Sequence, residues 1–411
     1  MREMKKTSIP WVSEIPAEWD EFPLHVLFEE RKNKNTQGLE INLLSLSYGN
    51  IVRKSIESNE GLLPENFNGY NIIEEGDIVL RLTDLQNDHR SLRTGLVREH
   101  GMITSAYITL KPKRILNSEY CHYLLHAYDI MKVFYTMGEG VRQNLGYSEL
   151  SYMHLPFPNI KEQEAIVSFL DTKCTSIDEA ISRQKEAIEK LEEYRKNYIT
   201  TALTGIAGNK LRLKYVAEFI NGDRSSNYPS GDDIVDSGIM FVTTDNIHGI
   251  ELDIKRNKNK YITREKYNAL RGAKIQLNDI IYCLRGSVGA CALNKAIDEG
   301  TVASSLVVIR PHDCIIPEYL NYYLHSNFVK EQNDNYMNGT CAANLSADNL
   351  KQYVIALPNK EKQKEIIHDL DNVSAKVSEA ISKHQQIIEK LEEYKKALIY
   401  NAVTGKIDCR N

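Results

Sequence analysis

The chain has 411 residues, of which 42% are hydrophobic and 26% charged, so it is predicted to be a folded protein of two or more domains. Its 51 basic and 56 acidic residues give a net charge of -5, which excludes nucleic-acid binding by bulk charge and leaves only local basic patches. Seven scattered cysteines without a Cys-x-x-Cys pair indicate neither a disulfide framework nor a structural zinc site. We predict no signal peptide, membrane span or metal site, and we expect a cytoplasmic protein.

Short β-like runs separated by glycine, asparagine and aspartate characterise residues 20–157. Asp77–Leu80 and Thr104–Leu110 are examples, rich in the apolar and β-branched side chains that favour strands. The same texture returns over residues 209–357, for example at Ser305–Ile309. Both regions are therefore predicted to fold as α+β domains.

Residues 158–205 recur as a near copy at residues 358–405. A shift of 200 positions aligns the two segments without a gap, and 22 of the 48 pairs are identical. A proline begins each segment and a Thr-Gly pair ends it, as expected at the start and end of a helix. The predicted layout is a first domain over 1–157, a central helix over 158–205, a second domain over 206–357 and a C-terminal helix over 358–411.

Apolar residues recur every three or four positions along both segments, which favours a coiled coil between the two helices. Polar interruptions fall at matching positions of the two copies, such as 184 and 384. Two independent core helices are the alternative, but they would have no reason to keep matched registers. The predicted seam consists of Leu170, Ile177, Ile181, Ile188 and Leu191 in the first helix and Leu370, Val377, Ile381, Ile388 and Leu391 in the second.

Local basic stretches are the candidate sites for phosphate groups. Residues 255–267 hold six basic residues, one acid and two tyrosines, a pattern that can follow a nucleic-acid backbone. Loops around residues 81–90 and 243–248 mix donors and acceptors that can read base edges. A merely solvated surface is the alternative interpretation of each stretch. The candidate DNA contacts are Arg81, Thr83, Gln86, Asn87, Arg90, Arg93, Lys111, Lys113, Arg142, Gln143, Thr243, Thr244, Asn246, Lys255, Arg256, Lys258, Lys260, Arg285 and Ser287.

Several landmarks together make the chain resemble the specificity (S) subunit of type I restriction–modification systems over essentially its whole length. They are the run from Gly140 to Leu145, Leu155 to Pro158, Glu162 and Gln163, and the Glu-Lys-Leu-Glu-Glu-Tyr runs and Thr-Gly ends of both helices. The second half repeats them at Asn344, Leu345, Leu357, Pro358 and Gln363, and adds Asn278–Gly289 and Val302–Ser305. It departs from the first half at Thr340–Ala343, so an equivalent of Arg142 is not assumed there.

The resemblance implies an α+β fold in which two pseudo-symmetric α/β target-recognition domains are separated by two long helices that form an antiparallel coiled coil. Each domain would read one half of a bipartite site in double-stranded DNA. The chain would also scaffold two modification subunits, which methylate adenine N6 with S-adenosylmethionine, and restriction subunits that use ATP and Mg²⁺. No cofactor is expected on this chain itself.

The motifs of the chain agree with a non-catalytic role. It has no GxxxxGK[ST] phosphate loop, no GxGxxG, no HExxH and no Asn/Asp-Pro-Pro-aromatic methyltransferase motif. Two alternatives stay open: a coiled-coil adaptor with protein-binding globular domains, and a nuclease with an unrecognised acidic cluster. Mg²⁺-dependent nicking by the purified chain would indicate the nuclease, and a failure to bind DNA even with modification subunits would indicate the adaptor.

Overall fold

The computed structural model describes residues 2–56, 66–85, 92–137, 144–225, 228–254, 259–336 and 345–410. Contacts between residues divide the chain into two units. The first unit comprises residues 1–184 together with 386–411, and the second comprises residues 185–385. Each unit therefore combines one globular part with a portion of both long helices.

The two long helices are α4 (Ile160–Ala202) and α9 (Lys360–Val403). The side chains of Asn159 and Asn359 cap their first turns by accepting hydrogen bonds from the backbone N–H groups three residues further on, at 3.1 and 2.9 Å. Each helix is followed by a glycine with positive φ, Gly205 at 69° and Gly405 at 72°. These glycines supply the left-handed residue that commonly ends a helix.

The long helices pack against each other in opposite directions within each unit. In the first unit, Nζ of Lys395 in α9 lies 2.7 Å from Oδ2 of Asp178 in α4. Early residues of α4 also share a hydrophobic core with the last turns of α9. In the second unit the ends are exchanged, because Tyr198 of α4 donates a hydrogen bond to Asp369 of α9 at 2.9 Å. The predicted fold class, with its antiparallel coiled coil, is confirmed.

The globular part of the first unit contains strands β1 to β12 and short helices. The strands are β1 (Met4–Lys6), β2 (Glu14–Pro16), β3 (Asp20–Pro23), β4 (Phe28–Glu30), β5 (Leu44–Ser47), β6 (Asn50–Arg53), β7 (Asn71–Ile73), β8 (Ile78–Leu80), β9 (Thr94–Leu96), β10 (Gly101–Ile103), β11 (Ile108–Pro112) and β12 (His154–Phe157). The helices are α1 (Leu24–Leu27), α2 (Ser118–Ile130), α3 (Tyr147–Leu150) and a 3-10 turn at Val133–Thr136.

The globular part of the second unit contains strands β13 to β23. They are β13 (Asn209–Arg212), β14 (Ala217–Asn221), β15 (Ile234–Val235), β16 (Ile239–Val242), β17 (Lys260–Ile262), β18 (Lys274–Ile275), β19 (Ile280–Cys283), β20 (Cys291–Leu293), β21 (Gly300–Val302), β22 (Leu306–Pro311) and β23 (Val354–Leu357). The helices are α5 (Arg264–Ala269), α6 (Pro317–Leu324), α7 (Asn327–Tyr336) and α8 (Ala347–Leu350), with 3-10 turns at Leu213–Tyr215, Gly231–Asp233 and Thr244–Asn246.

Both units are built around an antiparallel four-stranded sheet with the same strand order. The order is β4-β11-β8-β9 in the first unit and β14-β22-β19-β20 in the second. A two-stranded ribbon joins each globular part to the long helices, β3 with β12 and β13 with β23. Strands β16 and β21 pair in parallel, and the isolated parallel bridge between Leu43 and Met102 is their counterpart in the first unit. The duplication in the sequence is therefore a duplication of topology.

The central strands β8 and β19 are buried on both faces, which explains their continuous apolar sequence. Ile78 and Leu80 point into the core that includes the long helices, and Val79 points into a smaller cluster on the other face. In β19, Ile280 and Tyr282 belong to the equivalent helix-facing core, while the alternate residues face a second sheet. This alternation follows the two-residue repeat of a strand.

A buried carboxylate precedes each central strand. Asp77 accepts hydrogen bonds from the Glu74 backbone at 2.9 Å and from Arg31 at 3.0 Å, and burial raises the pKa of its carboxyl. Asp279 likewise accepts from Gln276 at 2.8 Å and from Arg310 at 2.9 Å. The arginine follows β4 in the first unit but lies within β22 in the second. The shared requirement is therefore a cation beside the carboxylate.

Each globular part is fastened to the long helices by equivalent side chains. Gln163 and Gln363 are fully buried, and their Oε1 atoms accept hydrogen bonds from the Asn117 and Ile316 N–H groups, both at 2.8 Å. Their Nε2 atoms donate to the carbonyls of Pro158 and Pro358, at 2.8 and 2.9 Å. The glutamine landmarks of the sequence thus join the start of each long helix to the start of α2 or α6.

A pair of tyrosines adds a second equivalent fastening. Tyr123 of α2 donates to Asp171 of α4 at 2.6 Å, and Tyr322 of α6 donates to Asp371 of α9 at 2.6 Å.

In the described ranges, no helix is long and apolar enough to cross a membrane.

Candidate nucleic-acid interface

The loops at one edge of each four-stranded sheet form the candidate interface. We call this the loop edge, and define it as the edge at which β8 or β19 ends and β9 or β20 begins. In the first unit it comprises Arg81–Leu85, Leu92–Arg93 and Thr104–Tyr107. In the second unit it comprises Gly222–Ser225, Leu284–Ala290 and Ala303–Ser305. Because neighbouring strands are antiparallel, these loops meet at the same end of their sheet.

Arg93 shapes the first loop from inside the protein. Its side chain is fully buried, and Nη1 donates to the carbonyl oxygens of Thr83 at 2.7 Å and Arg81 at 3.3 Å. Its guanidinium lies over the ring of Tyr135, 5.6 Å from the centroid. The sequence predicted Arg93 as a candidate DNA contact, whereas in the structure its side chain is buried and its donors hold the loop backbone. Arg81 and Thr83 are half-buried beside it.

The Asn144–Leu145 landmark lies against the same loop. The N–H of Leu145 donates to the carbonyl of Leu82 at 2.9 Å, and Oδ1 of Asn144 accepts from the N–H of Asp84 at 2.8 Å. The second unit repeats the backbone bond, from Leu345 to the carbonyl of Leu284 at 2.9 Å. The recurring Asn-Leu pair therefore brings a second loop to each loop edge.

The hairpin of β5 and β6 also reaches the first loop edge, and the sequence analysis did not identify it. A Cβ atom built on Gly49 at its tip would lie 3.1 Å from Cδ1 of Leu92. The hairpin packs on β9 at Gly95, where a Cβ atom would come within 2.6 Å of Leu46. The alternating Leu-Ser-Leu-Ser run before a glycine was the signal that could have revealed it.

Backbone hydrogen bonds bring three loops together at the second loop edge. The N–H of Leu284 donates to Ser305 O at 2.9 Å, and the N–H of Ala303 donates to Val242 O at 2.8 Å. Arg285 and Ser287 therefore lie beside the turn at 303–305, as does the segment that begins at Thr243. Arg285 and Ser287 are exposed, and Thr243 and Thr244 are half-buried.

Asn246 acts inside the protein, as Arg93 does in the first unit. It is buried, and its Nδ2 donates to the Asp253 carbonyl at 3.1 Å and to Oδ1 of Asn259 at 3.0 Å. It therefore closes the base of the loop between β16 and β17 and is not exposed to a ligand. Lys260 lies just beyond that base, exposed and paired in register with Phe241. This register places Lys260 at the same strand end as Thr243.

Arg224 is a basic residue at the second loop edge that the sequence analysis missed. It is exposed, and its Nε donates to the Ser304 carbonyl at 3.3 Å. The adjacent Asp223 accepts hydrogen bonds from the N–H groups of Ser225 at 2.6 Å and Arg271 at 2.7 Å. Bonds from the Ser225 side chain and backbone lower the pKa of Asp223 to about 2, so this anchor is ionised at neutral pH. The loop that carries Arg224 is thus fixed at its base.

Lys111 and Lys113 lie away from the loop edge. Strand β11 begins at the loop edge with Ile108, so its last residues reach the opposite edge of the sheet. There Lys111 pairs with Glu29 at 2.7 Å, and Nζ of Lys113 donates to the His25 carbonyl at 3.3 Å. The structure therefore does not bring these two lysines together with Arg81.

Eight candidate contacts fall on parts of the chain that the structure does not describe. They are Gln86, Asn87, Arg90, Arg142, Gln143, Lys255, Arg256 and Lys258. The described ends of their loops, at Leu85, Leu92, Asn144, Ile254 and Asn259, belong to the loop edges or to segments joined to them by the hydrogen bonds given above.

The seam residues predicted for the long helices are buried to different degrees. Leu170, Ile177, Ile181, Leu370, Val377 and Ile381 are buried. Ile188, Leu191, Ile388 and Leu391, which lie in the C-terminal half of each helix just beyond its middle, are half-buried. Burial along the helices is therefore uneven: it is high through the N-terminal half, falls at 188–191 and 388–391, and is high again in the last turns, where Ile199 and Ile399 are buried.

Comparison with known proteins identifies the family of this chain. A sequence model described as the type I restriction modification DNA specificity domain matches residues 16–192 and again residues 209–393. The chain belongs to this family. The two matches cover most of the chain, and each takes in one four-stranded sheet and one loop edge.

Known members of the specificity family show the same relationship. The type I restriction enzyme EcoBI specificity subunit of Escherichia coli is 22% identical over 281 residues, which are 62% of this chain and 59% of that protein. The MjaVIII specificity subunit of Methanocaldococcus jannaschii is 22% identical over 364 residues, 83% of this chain and 81% of that protein. The first alignment thus spans less than two thirds of its relative.

A solved structure supports the fold of the family. A chain from a study of complex assembly and conformational transition of the type I R-M system superposes with a TM-score of 0.65 and 16% identity. The superposition covers 96% of this chain and 99% of the other. Among the described residues of this family member, no group of three or more His, Cys, Asp or Glu side chains is placed to hold a metal ion.

Proposed function

We propose that this chain is the DNA sequence-specificity subunit of a type I restriction–modification complex. The observation that carries the proposal is the pair of loop edges, which share one scaffold but carry different side chains. One scaffold repeated with different loops suits a bipartite site, because each unit can read its own half-site. Membership in the specificity family supports the same assignment.

The proposed contacts are the exposed or half-buried polar residues of the two loop edges. Arginine and lysine would contact phosphates or guanine, and the threonine and serine hydroxyls would contact base edges or phosphates. Arg93 and Asn246 would act indirectly, by holding the loops in shape. The described candidates are Arg81, Thr83, Thr243, Thr244, Lys260, Arg285 and Ser287, and we add Arg224 because it is exposed at the second loop edge.

The chain would have a second role as a scaffold. With a net charge of -5 it has little general attraction for DNA, so we propose that tight binding needs contacts from two modification subunits. Those subunits would bind S-adenosylmethionine and methylate adenine N6, and restriction subunits would supply ATP- and Mg²⁺-dependent cleavage. The chain itself would be non-catalytic, and as part of a complex acting on the chromosome it would work in the cytoplasm.

The proposed domain boundaries remain those of the sequence. Residues 1–157 and 206–357 would be the two target-recognition domains, and 158–205 and 358–411 the helices that connect them. Each helix supports both units, since α4 and α9 contribute to both. A domain could therefore be exchanged without altering the helical scaffold.

A domain exchange tests this function directly. Residues 209–357 are replaced by the equivalent domain of a relative with a different specificity, and methylated adenines are mapped in a host that lacks other methyltransferases. We expect one half of the recognised motif to change while the other half persists. A change in both halves would refute the assignment of one half-site to each unit. No methylation and no DNA binding by the assembled wild-type complex would favour the adaptor alternative.

A point substitution tests the loop edge more narrowly. We expect Arg285→Ala to weaken binding of the assembled complex to its site and to lower the salt dependence of binding by about one counterion. The matched control is Lys295→Ala, because Lys295 follows β20 at the opposite edge and pairs with Glu318 and Asn278. Equal effects of the two substitutions would contradict the assignment of the interface to the loop edge.

A further inference from the structure

We propose that Tyr48 is a base-contacting residue of the first unit, whose aromatic ring enters a DNA groove at the loop edge and packs against a base of that half-site. This inference rests on the proposed function and adds to it a residue that the basic and polar patterns of the sequence did not reveal. The chemical class of its ligand is the base of a DNA duplex, recognised through an aromatic ring rather than through a charge.

The first supporting observation is the strained backbone of Tyr48. The hairpin turn between β5 and β6 has φ of 46° at Tyr48 and 80° at Gly49. Two successive positive φ values are typical of the tight hairpin turn that prefers Asn-Gly or Gly-Gly. Tyrosine is a poor residue for the first of these positions, because its Cβ atom crowds the following carbonyl. The other non-glycine residues with positive φ in the described ranges are Asp84, Lys132 and Asn278.

The second observation is the exposure of the ring. The side chain of Tyr48 is 84% exposed, and within the described ranges no aromatic or cation contact of its ring is found. Packing inside the protein therefore does not account for an aromatic residue here. Strain that is kept without a packing reason points to a role in binding.

The third observation is that the ring is held on a firm support. Gly95 of β9 lets the hairpin approach closely, since a Cβ atom there would meet Cδ1 of Leu46 at 2.6 Å and of Ile51 at 3.0 Å. At the tip, Gly49 lies against Leu92, at the end of the loop that Arg93 holds. The ring of Tyr48 is thus carried on a braced hairpin at the loop edge.

The chemistry of a tyrosine ring suits this position. It presents a large contact area with few rotatable bonds, so little conformational entropy is lost when it is fixed against a base. An apolar ring can contact a thymine methyl group or insert at a flexible base step, and these contacts depend on sequence. Tyr48 would therefore contribute to the choice of bases in its half-site, beside phosphate contacts from neighbours such as Arg81.

The test compares Tyr48→Asn with Tyr48→Phe in the full chain assembled with its modification subunits. Asparagine tolerates positive φ, so Tyr48→Asn should leave the melting temperature unchanged or raise it. We expect its affinity for a duplex carrying the methylated motif of the wild type to fall about 5- to 150-fold, as for loss of one good base contact. Tyr48→Phe keeps the ring and should bind within about 3-fold of the wild type.

Tyr152 provides the matched control. It is 75% exposed and lies at the other edge of the same sheet, with its ring 5.6 Å from that of His25. We expect Tyr152→Asn to leave DNA affinity unchanged. Mapping of methylated adenines should also show that Tyr48→Asn relaxes only the half-site of the first unit.

The outcomes separate this inference from the proposed function. If the wild-type complex binds no specific duplex, the proposed function fails. If the wild type binds and methylates its site, while Tyr48→Asn keeps both the affinity and the motif, the inference about Tyr48 is overturned. Equal losses in Tyr48→Phe and Tyr48→Asn would also overturn it, since they would assign the contact to the hydroxyl group and not to the ring.

Discussion

Replacement of Gln363 by alanine should separate α6 from the start of α9. The side chain is fully buried, its Oε1 accepts from the Ile316 N–H at 2.8 Å, and its Nε2 donates to the Pro358 carbonyl at 2.9 Å. A third, longer bond reaches the Cys314 carbonyl at 3.3 Å. The truncated side chain leaves at least one donor and one acceptor buried without these partners.

The magnitude follows from the groups left without partners. Each buried group deprived of its hydrogen bond costs about 1–3 kcal/mol, so two such groups predict a loss of about 2–6 kcal/mol in the free energy of unfolding. Water that enters the space would bring the loss toward the lower limit. Gln386→Ala is the control, because Gln386 is exposed on the same helix and its substitution should change stability by less than about 0.5 kcal/mol.

Urea unfolding followed by circular dichroism measures the loss, and hydrogen exchange shows where it occurs. We expect faster exchange at the starts of α6 and α9, with no change around Gln163, which makes the equivalent bonds in the first unit. Gln363→Glu should be less stable at pH 8 than at pH 5. A carboxylate facing two carbonyl oxygens is disfavoured, whereas its protonated form can donate to one of them. If Gln363→Ala were no less stable than Gln386→Ala, the conclusion that Gln363 links the starts of α6 and α9 would be wrong.

Three further predictions concern the packing of the helical seam, the protonation of His325 and the shape of the second loop edge. Leu370 is a fully buried seam residue, so Leu370→Ala should lower the free energy of unfolding by about 2–5 kcal/mol. Ile388 is half-buried, so Ile388→Ala should lower it clearly less. Similar urea midpoints for the two variants would contradict the uneven burial of the seam. Burial lowers the pKa of His325 to about 4, below its ordinary 6.5, so only the unfolded chain gains a proton as the pH falls from 6.5 to 4, and stability should decline over that window. His325→Gln should reduce this slope by about 1.4 kcal/mol per pH unit in urea titrations, and an unchanged slope would exclude a neutral histidine at this half-buried position. Finally, Gly222→Ala should shift the loop edge of the second unit, because a Cβ atom there would meet the carbonyl oxygens of Val302 and Ala303. We expect weaker DNA binding by the assembled complex. Normal affinity would show that the turn can move without affecting DNA binding.

The sequence predicted the scaffold well because the scaffold depends on local and periodic signals. Apolar residues every three or four positions predict a helix that must pack against a partner, and the 200-residue shift showed that two such segments exist. The family resemblance supplied their antiparallel direction, which the structure confirms. Landmarks such as Gln163 and Gln363 were visible in the sequence, but their bonds to the starts of α2 and α6 were not.

The candidate site was predicted only in part, because exposure depends on residues that are distant in sequence. Arg93 is of a residue type that commonly contacts phosphate, yet it packs on Tyr135 and donates to the loop carbonyls inside the protein. Lys111 is three residues from the start of β11, but a strand advances about 3.3 Å per residue and carries it toward the other edge of the sheet. Neither effect can be read from the local pattern of charges.

The sequence by itself determined that this protein has two similar domains on two paired helices, since repetition and periodicity are properties of the chain alone. Tertiary structure decided which parts form each unit. Residues 386–411 join the first unit, and Tyr400 near the end of α9 donates to the Trp11 carbonyl at 3.3 Å. Tertiary structure also brought the tip with Tyr48 to the loop edge, because only the packing of β5 and β6 on β9 fixes where that turn lies. Contacts between residues far apart in the chain are set by packing, and packing is what a single sequence does not display.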